Sequence, residues 1–461
     1  MFRKVNHVHF VGIGGIGMSG IAELLLNLGF KVSGSDLHDS PIISSLMEKG
    51  AEVYFGHDKT NLNHSDVLVY SSAVHEDNPE ISAAQENGIP VIKRAEMLGE
   101  LIAVKPTSIA IGGTHGKTST TSMIGAVLTE AQMEPTLVVG GHVKNIESGS
   151  MLGSGEIIVV EADEFDRSFL ALRPTISIVT NIELEHTDCY QNLTELQDAF
   201  LTFCNSVPFY GAVVVCADSP ALVEILPDIR RSTLTYGLSS SSQISAQNIS
   251  HTGSESTFQV TRDENSLGEI SIDVPGKHNV TNSLAAVTLG LELGIPFSAI
   301  SRGIQSYSGV KRRFEIKGVC HDVMVVDDYA HHPTEVRATL DAAKDGWNRR
   351  IIAVFQPHLF SRTRDFYQDF ADSFSQADIL IVTDIFPSRE EPIEGVSGEL
   401  VVQAAKEKNH PQTLYVKDLN QLQITLDDFV KSGDMVITIG AGNIWRFCQE
   451  YFDHLTAKST L

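Results

Sequence analysis

The stretch SIAIGGTHGKTST, residues 108–120, constrains the fold more than any other part of the chain. An apolar run, a glycine-rich loop and then TSTTSMIGAVLTEA, which sets Met123, Ile124, Val127 and Leu128 on one helical face, read as strand, loop and helix. The segment nearly satisfies the phosphate-binding pattern G-x-x-x-x-G-K-[ST]. Its first glycine would fall on Ile111, and Gly112 and Gly113 come just behind. Free amides and the positive pole of a helix start favour phosphate, and a glycine one residue late leaves that geometry available. In this reading Gly113, Thr114, His115, Gly116 and Ser119 frame the phosphates of a nucleoside triphosphate, Lys117 reaches the β and γ phosphates, and the Thr118 hydroxyl ligates Mg²⁺.

The same alternation extends along the whole chain. VHFVGI, KVSGSD, DVLVYSS and IPVIKR fall in the first 105 residues, with helical runs such as GMSGIAELLLNLG between them. After a composition break at AVKPTS come SIAIGG, EIIVVEAD, TISIVTN and GAVVVCAD. The polar stretch GLSSSSQISAQNISHTGSES reads as a surface loop with strands around it, and an Ala- and Leu-rich helix follows at 279–293. MVVDDY, IIAVFQPH, ILIVTDIF and MVITIGAGN form a third series. The expectation is an α/β protein of three consecutive domains. Residues 1–105 form a Rossmann-like domain, 106–310 a P-loop-type mononucleotide-binding domain with a mainly parallel sheet, and 311–461 a second Rossmann-like domain, with hinges near 105 and 310.

Charge and cysteine content narrow the partners. Asp and Glu outnumber Lys and Arg by 58 to 34, and no basic run forms a track, so nucleic acid is not an expected partner and any anionic ligand needs local donors. Five scattered cysteines without a C-x-x-C fit reduced thiols in a cytoplasmic protein. Glycines at 12, 14, 15, 17 and 20 break the apolar core that a signal peptide needs, and no 18-residue apolar run spans a membrane.

Ligands of open α/β sheets bind beyond the carboxyl ends of the strands. IIVV ends at Glu161 and SIVTN leads to IELEH, ending at His186; parallel strands would bring both to the side of Lys117. A carboxylate there suits Mg²⁺, for which histidine is an uncommon ligand. The N-terminal GIGGIG, with Asp36 at the distance of a ribose-binding acid, fits NAD or another diphosphate equally well, because the same backbone amides serve either.

The motifs together resemble the Mur ligase family along essentially the full chain: GIGGIGMSGIAE, SSAVHEDNPE, GGTHGKTSTTSM, EADEFDRSFL, TNIELEH, PGKHNVTNSLAA, RRFEIKG, DDYAHHPTEVRATL, FQPHLFSRTRDF and EEPIEGVSGEL. The resemblance implies that Gly14, Gly15, Ile16 and Gly17, with Ser71 and Ser72 nearby, cradle the diphosphate of a UDP-sugar. It gives ATP phosphates and Mg²⁺ to Lys117 and Thr118, metal to Glu161 and His186, adenine to His278 and Asn282, and a phosphate contact to Arg313. Asp328, Tyr329 and His331 line the cleft, and Arg362 and Arg364 are candidates for the amino-acid carboxylate. Two departures stand out: many relatives carry Asp at the position of Glu185, and some carry Arg or Tyr where Leu359 and Phe360 stand.

The activity implied is ATP-dependent ligation of L-alanine to UDP-N-acetylmuramate through an acyl phosphate, a step of cytoplasmic peptidoglycan precursor synthesis. Mg²⁺ is the expected metal, with Mn²⁺ as an alternative, and the chain is expected to be a monomer or weak homodimer. An oxidoreductase would use GIGGIG but leave GTHGKTS and Glu161 idle; a nucleotide sensor would use GTHGKTS without chemistry.

Overall fold

A computed structural model of the 461-residue chain describes residues 5–71, 73–75, 77–139, 150–185, 189–388 and 390–458. Ser72 and His186 lie outside the described residues, and of Ile16 only the backbone is described. Three sheets carry the fold. The first has the order Glu52–Phe55, Lys31–Asp36, His7–Val11, Val67–Tyr70, Val91–Lys93, with every neighbouring pair parallel. The order reverses at the central strand, so the loop after Val11 opens at a topological switch point, where such sheets place ligands.

Among the described residues the second sheet has ten strands. Its parallel centre, Ala212–Cys216, Ile176–Val179, Thr107–Gly112, Ile157–Glu161 and Thr136–Val138, carries the phosphate-binding segment on the middle strand. These strands read as unbroken Val/Ile runs because helices cover both faces. The Ser-rich stretch departs from the expected loop. Residues Ile244–Thr252 form a nine-residue strand, which continues through Glu255–Arg262 and Asn265–Ile272 to the sheet edge. The two-residue connection Asp263–Glu264 has positive φ at both residues, 47° and 69°, as a tight hairpin turn requires. Serine is tolerated because hydroxyls pair across the strands, Ser245 with Thr261 at 2.7 Å.

The third sheet runs Glu315–Cys320, Val323–Asp328, Asp434–Ile439, Arg350–Phe355, Ile379–Thr383, Thr413–Val416, with only the first pair antiparallel. Alternation along its strands separates two buried layers. Val326, Ile351, Ala353, Phe355 and Leu380 pack on one face, and Val325, Ile352, Val354, Ile379 and Ile381 on the other. The chain divides into two compact units, one of Met1–Asn248, Phe258–Ser271 and Thr281–Ser308, the other of Ile249–Thr257, Ile272–Val280 and Gly309–Leu461. No helix among the described residues is long and apolar enough to cross a membrane.

Candidate active site

In the first unit, Ile111 lies inside the strand Thr107–Gly112 and is completely buried, so the position where the pattern wants glycine belongs to the sheet core. The turn begins at Gly113, whose φ of +129° disfavours any L side chain and whose Cβ would run into the Thr180 hydroxyl. Gly116 caps the helix Lys117–Glu130 with φ +85°, and a Cβ there would stand 2.6 Å from Asn282 Oδ1. The two glycines that matter conformationally are therefore 113 and 116.

The loop is stitched to the end of the neighbouring strand. The Thr114 amide donates to Asn181 O (3.1 Å), the His115 amide to Asn181 Oδ1 (2.8 Å), and Thr180 Oγ1 to His115 O (2.6 Å). In return the Glu183 amide donates to Thr114 Oγ1 at 2.9 Å, and Glu183 Oε2 lies 3.4 Å from His115 Nε2. Thr180, Asn181 and Glu183 thus shape the loop without having been expected to; the signal was present in TNIELEH. Glu161 ends the adjacent parallel strand in register with Ile111, so its backbone lies at the same end of the sheet as the loop. Ser119 is buried in the first helical turn, and Thr118 O accepts from Ser122 Oγ at 2.8 Å.

Lys117 Nζ donates to Gly113 O (2.6 Å), Thr114 O (3.2 Å) and Glu164 Oε2 (2.7 Å). Glu164, 1% exposed, was not foreseen as a site residue, and its Oε1 is buried without a hydrogen bond among the described residues. Burial raises its carboxyl to about 7, against the pull of Lys117 and with the charge of Asp163 adding to the rise. Burial by itself lowers Lys117, but Glu164 and Asp163 outweigh it, leaving the ammonium raised. A carboxyl whose folded pKa exceeds its unfolded one stabilises the fold while protonated. That contribution is full below the ordinary value of 4.5 and is lost as pH rises through about 7. Glu164→Gln, which cannot ionise, should accordingly lose less stability than the parent between about pH 5 and pH 8, by on the order of 1–3 kcal/mol. Thermal melts across that range test it; parallel pH profiles would mean the carboxyl stays ionised throughout.

The glycine loop of the first sheet opens on a cleft of about 610 Å³ lined by Gly12, Gly14, Gly15, Asp36, His57 and Ser71, among others. Asp36 accepts from the Gly14 amide at 2.9 Å and the Leu37 amide at 2.7 Å, so the acid placed like a ribose ligand is engaged in holding the loop. Behind the cleft, Glu80 accepts from Ser35 Oγ and Asn61 Nδ2, each at 2.6 Å, and Ser35 Oγ also meets His57 Nδ1 at 2.9 Å. Burial raises Glu80, yet its bonds to His9, Ser35 and Asn61 prevail and lower it, so a buried carboxylate anchors the rim.

In the second unit, the backbone after Val323–Asp328 gathers the other expected residues. Asp328 accepts from the Phe314 amide (2.7 Å) and the Ala330 amide (2.8 Å), and burial raises it to about 6 against the Arg313 charge. Arg313 lies 5.2 Å from the centre of the Tyr329 ring and 3.4 Å from Glu335 Oε1. Glu335 Oε2 in turn accepts from the His331 amide at 3.0 Å, making Glu335 a further residue that the sequence reading missed. The ring of His331 is 6.2 Å from that of His358, whose Nδ1 is 3.3 Å from Arg362 Nη1. Arg362 is 8% exposed, whereas Arg364 is exposed and pairs with Asp365 at 2.7 Å. His278 stands at the start of the helix Lys277–Glu292, where burial and then the Arg313 charge lower its pKa. Asn282, one turn on, belongs to the first unit, where it lies against Gly116.

The cradle suits phosphate: positive-φ glycines, a helix start and a partly buried lysine. The Thr118 hydroxyl and the Glu161 carboxylate are oxygen donors of the hard kind that Mg²⁺ prefers.

Three family models match the chain: the Mur ligase catalytic domain over residues 7–106, the Mur ligase middle domain over 111–290 and the Mur ligase glutamate ligase domain over 312–442. A UDP-N-acetylmuramate--L-alanine ligase of Geotalea uraniireducens is 50% identical over 446 residues, 97% of each chain. One from Geotalea daltonii is 48% identical over 455 residues, 99% of each. Among solved structures, the UDP-N-acetylmuramate-alanine ligase MurC of Thermotoga maritima superposes with a TM-score of 0.83 at 28% identity, covering 98% of this chain and 99% of that one. A murein peptide ligase of Psychrobacter arcticus gives 0.70 at 25% identity, covering 97% and 98%. With three consecutive family models and half-identical relatives matched end to end, the chain belongs to the Mur ligase family.

Proposed function

We propose that this chain joins L-alanine to UDP-N-acetylmuramate at the expense of ATP, forming the amide through an acyl phosphate. The observation that carries the reading is the Gly113–Thr118 loop, with the partly buried Lys117 at a helix start, in a chain half-identical over nearly its whole length to ligases named for that reaction. A carboxylate cannot expel oxide when an amine attacks, so it needs activation. The lactyl carboxylate attacks the γ-phosphorus, the bond to the bridging oxygen breaks, and ADP leaves. The uncharged amine of L-alanine then attacks the acyl phosphate, and the tetrahedral adduct collapses with loss of phosphate and a proton.

The residues act by placing charge. Lys117 lies on the loop that the β and γ phosphates occupy and offsets the charge that spreads over the transferring group. Thr118 and Glu161, together with His186, would hold Mg²⁺, which when bound neutralises phosphate oxygens. In the second unit Arg313 is the phosphate-contacting cation. Its stacking on Tyr329 and its pairing with Glu335 hold the guanidinium in one orientation. His278 and Asn282 are assigned to adenine, the Gly14–Gly17 loop with Ser71 and Ser72 to the diphosphate, and Tyr329, His331 and Arg362 to the amino acid. Domain boundaries near 105 and 310 and a cytoplasmic location belong to the same reading.

The test is phosphate release from ATP with UDP-N-acetylmuramate and L-alanine added singly and together. Release that requires both supports the ligase; release without either acceptor, or hydride transfer to a nicotinamide, would replace it.

A further inference from the structure

We propose that Arg94 binds the diphosphate of the sugar nucleotide, an assignment that rests on reading the Gly12–Gly17 loop as the sugar-nucleotide site. Arg94 opens the helix Arg94–Ile102, and its guanidinium lies against the start of the helix Ile16–Asn27. A Cβ added at Gly17 would stand 2.9 Å from Arg94 Nη1 and 3.5 Å from Cζ. Glycine at 17 is therefore what admits the arginine to the positive end of that helix, where the diphosphate is expected.

The state of the guanidinium points to a ligand. Arg94 is half-buried, yet it makes no hydrogen bond and no ion pair among the described residues, although the chain has a formal net charge of −24. The group carries five N–H donors, and leaving them partly desolvated without acceptors is unfavourable. Two carboxylates, Glu161 and Asp163, line a small cavity with Arg94 and Ser168 without pairing to it. An oxyanion on the glycine loop would find the fork it needs, and bidentate pairing with arginine is the usual form of such contacts. Arg94 would also stand between that anion and the two carboxylates, which would otherwise repel it.

The position is held from both sides. Gly99, in the same helix, approaches the segment Phe165–Ala171 so closely that a Cβ would lie 2.9 Å from Ala171 O. At the helix start, Glu96 Oε2 accepts from the Lys93 amide at 3.3 Å. A rigid helix therefore presents one unpartnered cation to the loop, and preorganisation lowers the cost of binding.

Calorimetric titration of the full chain with UDP tests this, because UDP carries the diphosphate without the sugar or its carboxylate. Arg94→Ala should weaken UDP about 10- to 100-fold, the range expected for losing hydrogen bonds to a charged group. Arg94→Lys, which keeps the charge and loses the fork, should fall between. ATP affinity should stay within about threefold, which reports that the variant is folded and that the effect is local. Wild-type binding of UDP with unchanged binding by Arg94→Ala would overturn the role of Arg94 alone. A wild-type chain that binds neither UDP nor UDP-N-acetylmuramate would overturn the sugar-nucleotide reading and this inference with it.

Discussion

Lys117→Ala should abolish ATP-dependent ligation, with kcat/KM lower by at least about 1000-fold, roughly 4 kcal/mol of lost transition-state stabilisation. The ammonium is bound by Gly113 O, Thr114 O and Glu164 Oε2, so its removal deletes the cation of the loop and also leaves a buried carboxyl without its partner. Those two consequences can be separated. Pairing the change with Glu164→Gln replaces a carboxyl that, without its cation, must either take up a proton or stand charged in the interior, so above about pH 7 the double variant should regain stability lost by Lys117→Ala without regaining ligation. Binding of UDP-N-acetylmuramate should stay within a few-fold in both, since the glycine loop of the first sheet is a separate structure. Calorimetry and single-turnover assays check this. Equal loss of both affinities in a folded variant would place the two ligands on one shared element.

The parts of this arrangement that were legible in the sequence are those set by local periodicity. SIAIGG and EIIVVEAD are runs of buried β-branched residues ending in a glycine or an acid, and both proved to be central parallel strands with their ends on one side. The missing glycine at 111 also has a local explanation, because the turn needs positive φ only at 113 and 116. What periodicity could not deliver was long-range partnership. Glu164 looks like one acid among several in EADEFDRSFL, and only the fold carries it to Lys117. Asn181 holds His115 across 66 residues, and Glu80 meets His9 across 71.

The Ser-rich stretch failed for a related reason. Its composition suits turns, but hydroxyls that face hydroxyls on the next strand satisfy one another, and that is invisible until the strands are paired. The antiparallel strand Glu315–Cys320 was hidden likewise: it includes Lys317 and Gly318 and lies at the sheet edge, where charge and glycine are tolerated.

Arg362→Lys should raise KM for L-alanine about 10- to 100-fold while leaving KM for ATP nearly unchanged, if the guanidinium holds the substrate carboxylate. From sequence, Arg362 and Arg364 were equivalent candidates in the loop and helix after the strand Arg350–Phe355. The fold distinguishes them. Leu359, with φ +70°, turns the chain into the helix Phe360–Ser373, and two residues' difference in phase points one arginine inward and the other outward. Arg362 is buried beside His358, whose ring stacks on Phe386 at 5.9 Å and faces His331 at 6.2 Å. Arg364 is solvated and held by its neighbour Asp365. An exposed pair of this kind contributes little, so Arg364→Lys should change KM for L-alanine by less than about twofold. Lysine at 362 keeps the charge but loses the planar two-donor fork, so the comparison tests geometry and not charge alone. Steady-state kinetics with L-alanine varied at saturating ATP and UDP-N-acetylmuramate decide between the two. A KM unchanged by Arg362→Lys would move the carboxylate site along the ring contacts towards His331.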